Sequence, residues 1–321
     1  MNKRICVVGA GNWGKNHISI FHKLGVLSGI VESNSTILSE IKSKYPNVKF
    51  FKNIADAIND NFDAFTVATP AYTHYDIGKQ IINAKKDLLI EKPITTNLED
   101  AIKLNNLAKK NNVKLMVGHS LLFHPAYIKM KDMIDNGMLG ELQYIYSNRV
   151  NLGKIRTDEN VLWSFAPHDI ALFQYLIGNN PIKINSVGND IIQPGIHDTT
   201  ITNLEYPNKI MGHIFVSWLH PFKEHRFVVV GSKGMLHFED SFKDKPLIFY
   251  DKNIEWKNNV PDAKYGSEKY IDYEKSLPLD NELKYFVENL DNETIEKSNG
   301  DNAIEVMNIL TTASKQLLKE N

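Results

Sequence analysis

The glycine-rich hexapeptide Gly9-Ala10-Gly11-Asn12-Trp13-Gly14 follows directly on the apolar run Ile5-Cys6-Val7-Val8 and opens a helical pattern. Strand, glycine turn and helix in that order restrict the fold more than any other feature of the chain. The first glycine permits a tight turn, the second lets backbone approach a pyrophosphate, and the third lets helix and strand pack closely while helix N–H groups face the anion. Asn12 and Trp13 lie inside this loop and are expected on its cofactor side. Glu32 ends the second strand-like run, where a carboxylate accepts hydrogen bonds from an adenosine ribose and repels a 2′-phosphate. NAD is therefore expected over NADP.

Up to about residue 118, short aliphatic runs (Gly29 to Glu32, Phe62 to Ala68, Leu88 to Ile90, Val113 to Val117) alternate with helical patterns. That alternation predicts βαβ units around a parallel sheet with both faces covered, a doubly wound α/β domain over residues 1–120. Ile77, Ile81 and Ala84 share one helix face, and Thr96 or Asn97 is placed to cap the helix that begins near Glu99 and Asp100. At 321 residues the chain is long enough for a second domain. Residues 121–321 are expected to form it, with a helix through Pro125 to Asn136, another starting near Pro167, and then mostly strands. From Lys209 to Leu219 the side chains alternate as in an antiparallel strand with two different faces. Gly231-Ser232-Lys233-Gly234 reads as a hairpin turn, because its lysine lacks the spacing of a phosphate loop. Asn302 to Leu318 is expected to close the chain as a helix at the domain junction.

Thirty-seven Lys and Arg against 38 Asp and Glu leave a net charge of −1, which argues against a nucleic-acid partner. No apolar run is long enough to span a bilayer, and no signal peptide is indicated at the N-terminus. The single cysteine, Cys6, sits in an apolar run and suits a reducing cytoplasm.

Three further segments carry candidate chemistry. The loop Ala68-Thr69-Pro70-Ala71-Tyr72-Thr73-His74 follows a parallel strand at the edge where such sheets bind ligands, so Thr69, Pro70 and His74 are expected near the nicotinamide half of the cofactor. Leu88-Leu89-Ile90-Glu91-Lys92-Pro93 puts Lys92 at the end of a buried strand on the same edge. Desolvation and a cationic nicotinamide would both lower the pKa of that lysine and fit it to accept a proton, with Glu91 orienting it. Read alone, the pair suits a structural ion pair equally well. Pro167-His168-Asp169 is read as a helix N-terminus, which would disfavour imidazolium and leave His168 a neutral acceptor or donor, with Asp169 beside the substrate. His119, His124, His213, His220 and His225 lack metal-ligand spacing, so no metal is expected.

Taken together, Gly9 to Gly14, the Ala68 to His74 loop, Glu91-Lys92-Pro93, His168 and the Gly231 to Gly234 turn resemble the glucose–fructose oxidoreductase, inositol dehydrogenase and MocA (Gfo/Idh/MocA) family over nearly the whole chain. The resemblance implies an N-terminal Rossmann domain and a C-terminal α/β domain whose open, mainly antiparallel sheet often supports oligomers, here a homodimer or homotetramer. It further implies that Lys92 matches the family's active-site lysine and His168 the histidine that works with it, either being the proton acceptor. Many members carry an aspartate four residues before that histidine, where this chain has Ser164, with Asp169 directly after the histidine. The stretch from Asn151 to Asp169 is similar to a branch associated with bacterial cell-surface sugar and lipid A pathways. That similarity implies oxidation of a secondary alcohol, at C3 of a UDP-N-acetylglucosamine-type nucleotide sugar, with Lys154 and Arg156 as cations for the diphosphate. An inositol or free-monosaccharide dehydrogenase is the alternative. A non-catalytic NAD(H)-responsive binding protein is the alternative from another class.

Overall fold

The computed structural model describes residues 3–318. The chain divides into two compact units, one formed by residues up to Ser120 together with Leu277–Met307, the other by Leu121–Ser276 together with residues from Asn308 onward. The segment Leu277–Met307, expected in the second domain, thus clusters with the first.

The first unit runs β1 (Ile5–Val8), α1 (Asn12–Lys23), β2 (Leu27–Val31), α2 (Ser35–Lys44), β3 (Lys49–Phe51), α3 (Ile54–Ile58), β4 (Ala64–Val67), α4 (His74–Asn83), β5 (Asp87–Glu91), α5 (Leu98–Asn111) and β6 (Leu115–Gly118). Its six strands are all parallel, in the order β3-β2-β1-β4-β5-β6. β1, β4 and β6 are buried along their whole length, which is why they are aliphatic runs without alternation. Each fully buried Ile, Leu or Val contributes roughly 1.5–3 kcal/mol over its exposed state. β3 escapes the periodicity argument because three partly exposed residues carry no pattern to read. The α5 cap is Asn97, whose side chain accepts from the Asp100 N–H at 2.9 Å. The order reverses between β1 and β4, and the loops following both strands flank that switch point, where doubly wound sheets bind ligands.

The second unit runs α6 (Pro125–Asp135), β7 (Leu142–Val150), α7 (Val161–Ile177), β8 (Lys183–Asn189), β9 (Thr199–Glu205), β10 (Met211–Ser217), β11 (Glu224–Gly231), β12 (Met235–Glu239), β13 (Leu247–Lys257) and β14 (Val260–Tyr270). Its eight-stranded sheet has the order β14-β13-β12-β11-β7-β10-β9-β8, antiparallel except for the β7–β10 pair. α7 covers one face: Gly212, Ile214 and Val216 point inward, and Phe173 of α7 fills the space where Gly212 has no Cβ. The Gly231–Gly234 segment joins β11 to β12, with the Gly231 N–H donating to the Gly234 carbonyl at 2.9 Å. Two helices follow, α8 (Pro278–Glu288) in the first unit and α9 (Gly300–Leu317), whose residues are divided between the two units at Met307.

One expectation about α7 is corrected. The helix begins at Val161, capped by the Asn160 side chain accepting from the Trp163 N–H at 3.1 Å, and Pro167 lies inside it. Proline lacks an N–H and its ring crowds the carbonyl four residues earlier, so the helix continues at the cost of one backbone bond and that crowding. His168 therefore sits in the second turn, too far from the N-terminus for the helix dipole to hold it neutral.

Candidate active site

A cleft of about 400 Å³ in the first unit is lined by Gly9, Gly11, Glu32, Ser33, Lys52, Thr69 and Pro70 among others. The glycine loop explains its shape. Gly9 has φ +92° and an added Cβ there would lie 2.8 Å from the Ala68 carbonyl oxygen, while a Cβ on Gly14 would come within 2.0 Å of the Gly9 carbonyl oxygen. Only glycine allows the turn and the close approach of α1. A Cβ on Gly11 would meet nothing within 4 Å, so the middle glycine opens onto the cleft. Asn12 is exposed at the first position of α1.

Glu32 builds the opposite wall. Its Oε2 accepts from the Ala10 N–H and its Oε1 from the Asn34 N–H, both at 2.8 Å. The carboxylate thus braces the glycine loop and keeps acceptor capacity toward the cleft. Beyond β4, the Thr69 and Thr73 hydroxyls lie 2.7 Å apart and the Thr73 hydroxyl donates to the Pro70 carbonyl. His74 is buried, with Nε2 2.9 Å from the Thr69 carbonyl oxygen and Nδ1 2.9 Å from that of Pro93. Burial lowers its pKa against the pull of those carbonyls. A neutral imidazole gives its one N–H to one of them; given from Nδ1 to Pro93, it ties the loop after β4 to the loop after β5.

At the end of β5, Glu91 is the hub. Its Oε1 accepts from the Trp13 indole N–H and lies 2.8 Å from His17 Nε2, and its Oε2 accepts from the Lys92 backbone N–H at 3.2 Å. Burial pulls the Glu91 pKa upward, but the bonds from His17, Trp13 and the Lys92 N–H outweigh it and hold the carboxyl below its usual range. Lys92 follows, half-buried. His119, just past β6, is buried, and burial together with the Lys92 charge brings its pKa down to about 4. Sequence reasoning singled out Trp13 and Glu91 separately but not their contact, and it missed His17, which reads as one more polar residue on α1.

In the second unit His168 is half-buried, while Asp169 is 1% exposed. Both Asp169 oxygens are taken by Arg149 of β7, Nε to Oδ2 at 2.8 Å and Nη2 to Oδ1 at 3.1 Å. Burial works against the guanidinium charge, yet Asp169 holds the Arg149 pKa above its ordinary value. Asp169 thus anchors α7 to the sheet beside His168. Lys154 and Arg156 lie on an exposed loop, Arg156 with Nε 3.1 Å from Glu159 Oε1. Among the described residues, no group of three or more His, Cys, Asp or Glu side chains is arranged to hold a metal.

A parallel sheet in this strand order, with a glycine-floored cleft at its switch point, is the architecture of a dinucleotide-binding domain. Residues 3–119 match the family described as "Oxidoreductase family, NAD-binding Rossmann fold" and residues 127–237 match the GFO/IDH/MocA C-terminal domain, so the chain belongs to the Gfo/Idh/MocA oxidoreductases. UDP-N-acetylglucosamine 3-dehydrogenase from Acidithiobacillus ferrooxidans is 27% identical over 189 residues, 59% of this chain and 58% of that protein. The chain therefore spans less than two thirds of that relative in the aligned sequence. A solved structure of the same name and organism superimposes with a TM-score of 0.86 at 20% identity, covering 99% of this chain and 98% of that one, which establishes a shared fold. Myo-inositol 2-dehydrogenase from Thermotoga maritima is 26% identical over 263 residues, 78% of each chain. A levoglucosan dehydrogenase solved with NADH and levoglucosan has a TM-score of 0.85 at 17% identity, covering 100% of this chain and 98% of that one.

Proposed function

We propose that the chain is an NAD-dependent dehydrogenase that oxidises a secondary alcohol of a sugar, at C3 of a UDP-N-acetylglucosamine-type nucleotide sugar. The observation that carries the cofactor reading is the cleft in which Gly9, Gly11 and Glu32 converge with Thr69 and Pro70. Gly11 leaves room for a pyrophosphate, Glu32 faces the place of an adenosine ribose, and the loops after β4 and β5 take the nicotinamide half. When bound, NAD supplies the hydride acceptor. Lys92 takes the hydroxyl proton of the substrate, with Glu91 fixing its backbone, and His168 is the second proton-transfer group. Lys154 and Arg156 bind the substrate diphosphate. Relatives named as a UDP-N-acetylglucosamine 3-dehydrogenase and a myo-inositol 2-dehydrogenase support a sugar or cyclitol alcohol as the substrate class. A cytoplasmic site of action fits the reduced Cys6 and the cofactor.

The position of oxidation is tested by trapping the product with borodeuteride. Deuterium at C3 of the hexosamine is expected, and deuterium elsewhere, or turnover of a free inositol alone, would contradict the reading.

Glu32 sets the preference for NAD. Replacing it, as Glu32→Ser, removes two charge-assisted bonds to backbone N–H groups and the repulsion toward a 2′-phosphate, while Ser33 and Lys52 remain in the cleft. A loss of roughly 1.5–3 kcal/mol in NAD binding is expected, on the order of tenfold or more, with a smaller loss for NADP. Fluorescence titration with NADH and NADPH measures it; an unchanged ratio of the two affinities would count against Glu32.

The sheet face opposite α7 favours self-association. Tyr144 and Tyr146 of β7, Ile201 of β9, and Met211, His213 and Phe215 of β10 share it, with Tyr146 stacked on His213 at 5.0 Å. A homodimer or homotetramer through this face buries an aromatic surface of the kind monomers rarely leave in water. Tyr146→Glu is expected to lower the sedimentation coefficient to that of a monomer, and an unchanged coefficient would place any association elsewhere.

A further inference from the structure

Glu282 is a carboxyl in the wrong company. On α8 it shares the buried stripe with Leu283, Phe286 and Val287, is 0% exposed, and neither carboxyl oxygen has a hydrogen-bond partner. α8 packs against α1, whose own buried stripe carries His17. His17 is equally buried and gives only Nε2 to Glu91, its Nδ1 having no partner. Two neighbouring helices therefore each bring an unsatisfied polar group into an otherwise apolar layer behind the Glu91–Lys92 edge, an arrangement that costs free energy and serves no packing purpose.

Burial and the charges around Glu282 together bias its state. From β5 it feels the Glu91 carboxylate; α1, packed against α8, carries His17, and Lys92 and His119 follow β5 and β6; on α8 itself Asp280 is partly exposed and Lys284 and Glu288 are exposed. Burial first, and the Glu91 charge second, push the Glu282 pKa well above the usual carboxylate range, which favours the protonated form. Anything that adds positive charge to the Glu91–Lys92 edge makes a second carboxylate there less costly.

We propose that Glu282 is a positioning residue acting through Glu91: it keeps its proton when the edge is empty or holds the uncharged dihydronicotinamide ring of NADH, and releases it to solvent when the cationic nicotinamide ring of NAD binds there. This rests on the dinucleotide reading above. The consequence is a binding equilibrium in which rising pH favours NAD over NADH beyond the proton already in the reaction. By linkage, the apoprotein also responds: a folded-state pKa above the unfolded value gives stability that is full below the unfolded pKa and declines as pH rises through the folded one.

The test is calorimetric titration of the full chain with NAD and with NADH in buffers of different ionisation enthalpy, which counts protons. The wild type is expected to release a fraction of a proton per NAD bound and none per NADH, and Glu282→Gln to release none with either. Equal release by both proteins would overturn the proposal. Infrared spectra of the wild type need no variant: the carbonyl band of a protonated carboxylic acid is expected in the apoprotein and is expected to weaken on adding NAD. A band absent from the apoprotein, or one indifferent to NAD, would overturn the proposal even though cofactor binds. Absence of NAD binding with the band present would overturn the dinucleotide reading and the coupling with it, while leaving the buried acid established. In the apoprotein, the melting temperature of Glu282→Gln is expected to gain on the wild type from about pH 5 upward, and parallel pH profiles would contradict the buried acid.

Discussion

Lys92→Met is expected to reduce turnover by roughly 10²–10⁴-fold while NADH still binds, the range for losing a positioned proton acceptor. The expectation follows from the place of the residue rather than from its charge alone. Lys92 leaves the end of β5 on the edge of the sheet that carries the cleft, and its backbone N–H is held by a carboxylate that two groups, Trp13 and His17, fix in position. Methionine keeps the length and most of the volume of the side chain, so the cleft and the Glu91 hub should persist. Steady-state rates and NADH fluorescence on the same preparation separate the two effects. Turnover within a few-fold of wild type would remove Lys92 from proton transfer and shift that role to His168.

Arg149→Met is expected to destabilise the second unit by about 3–5 kcal/mol, because it strands the Asp169 carboxylate at 1% exposure with no counter-charge. Urea unfolding measures the loss. The pair Arg149→Met with Asp169→Leu should recover most of it, since two apolar groups of similar size avoid both desolvation penalties. A single variant as stable as wild type would mean that Asp169 is solvated or neutral. The same pair bears on function: Asp169 was expected at the substrate, and its commitment to Arg149 makes it the anchor that fixes the turn of α7 carrying His168.

The glycine loop and the parallel strands were legible because their physics is local. A turn that admits only glycine, followed by a helix and then by a strand-end acid, leaves a pattern in consecutive residues, and the geometry of Gly9, Gly14 and Glu32 follows it closely. The second unit was less legible. Pro167 was read as a helix start, since proline favours first turns, but the Asn160 cap and the apolar stripe beginning at Val161 set the true boundary. The partners that make the site, Trp13 and His17 on Glu91, and Arg149 on Asp169, lie 78, 74 and 20 residues apart. No periodicity links such positions. Glu282 was invisible for the same reason, a single acid within a helix pattern whose cost appears only when the fold removes water from it.

The most direct test of the central claim is the appearance of NADH absorbance in the near ultraviolet when the purified protein is mixed with NAD and UDP-N-acetylglucosamine, its uronate, or a panel of free sugars and inositols. NADH formed with a UDP-sugar, and abolished in Lys92→Met, is the predicted result. No NADH with any sugar, from protein that binds NADH tightly, would contradict it and point to a cofactor-responsive binding protein instead.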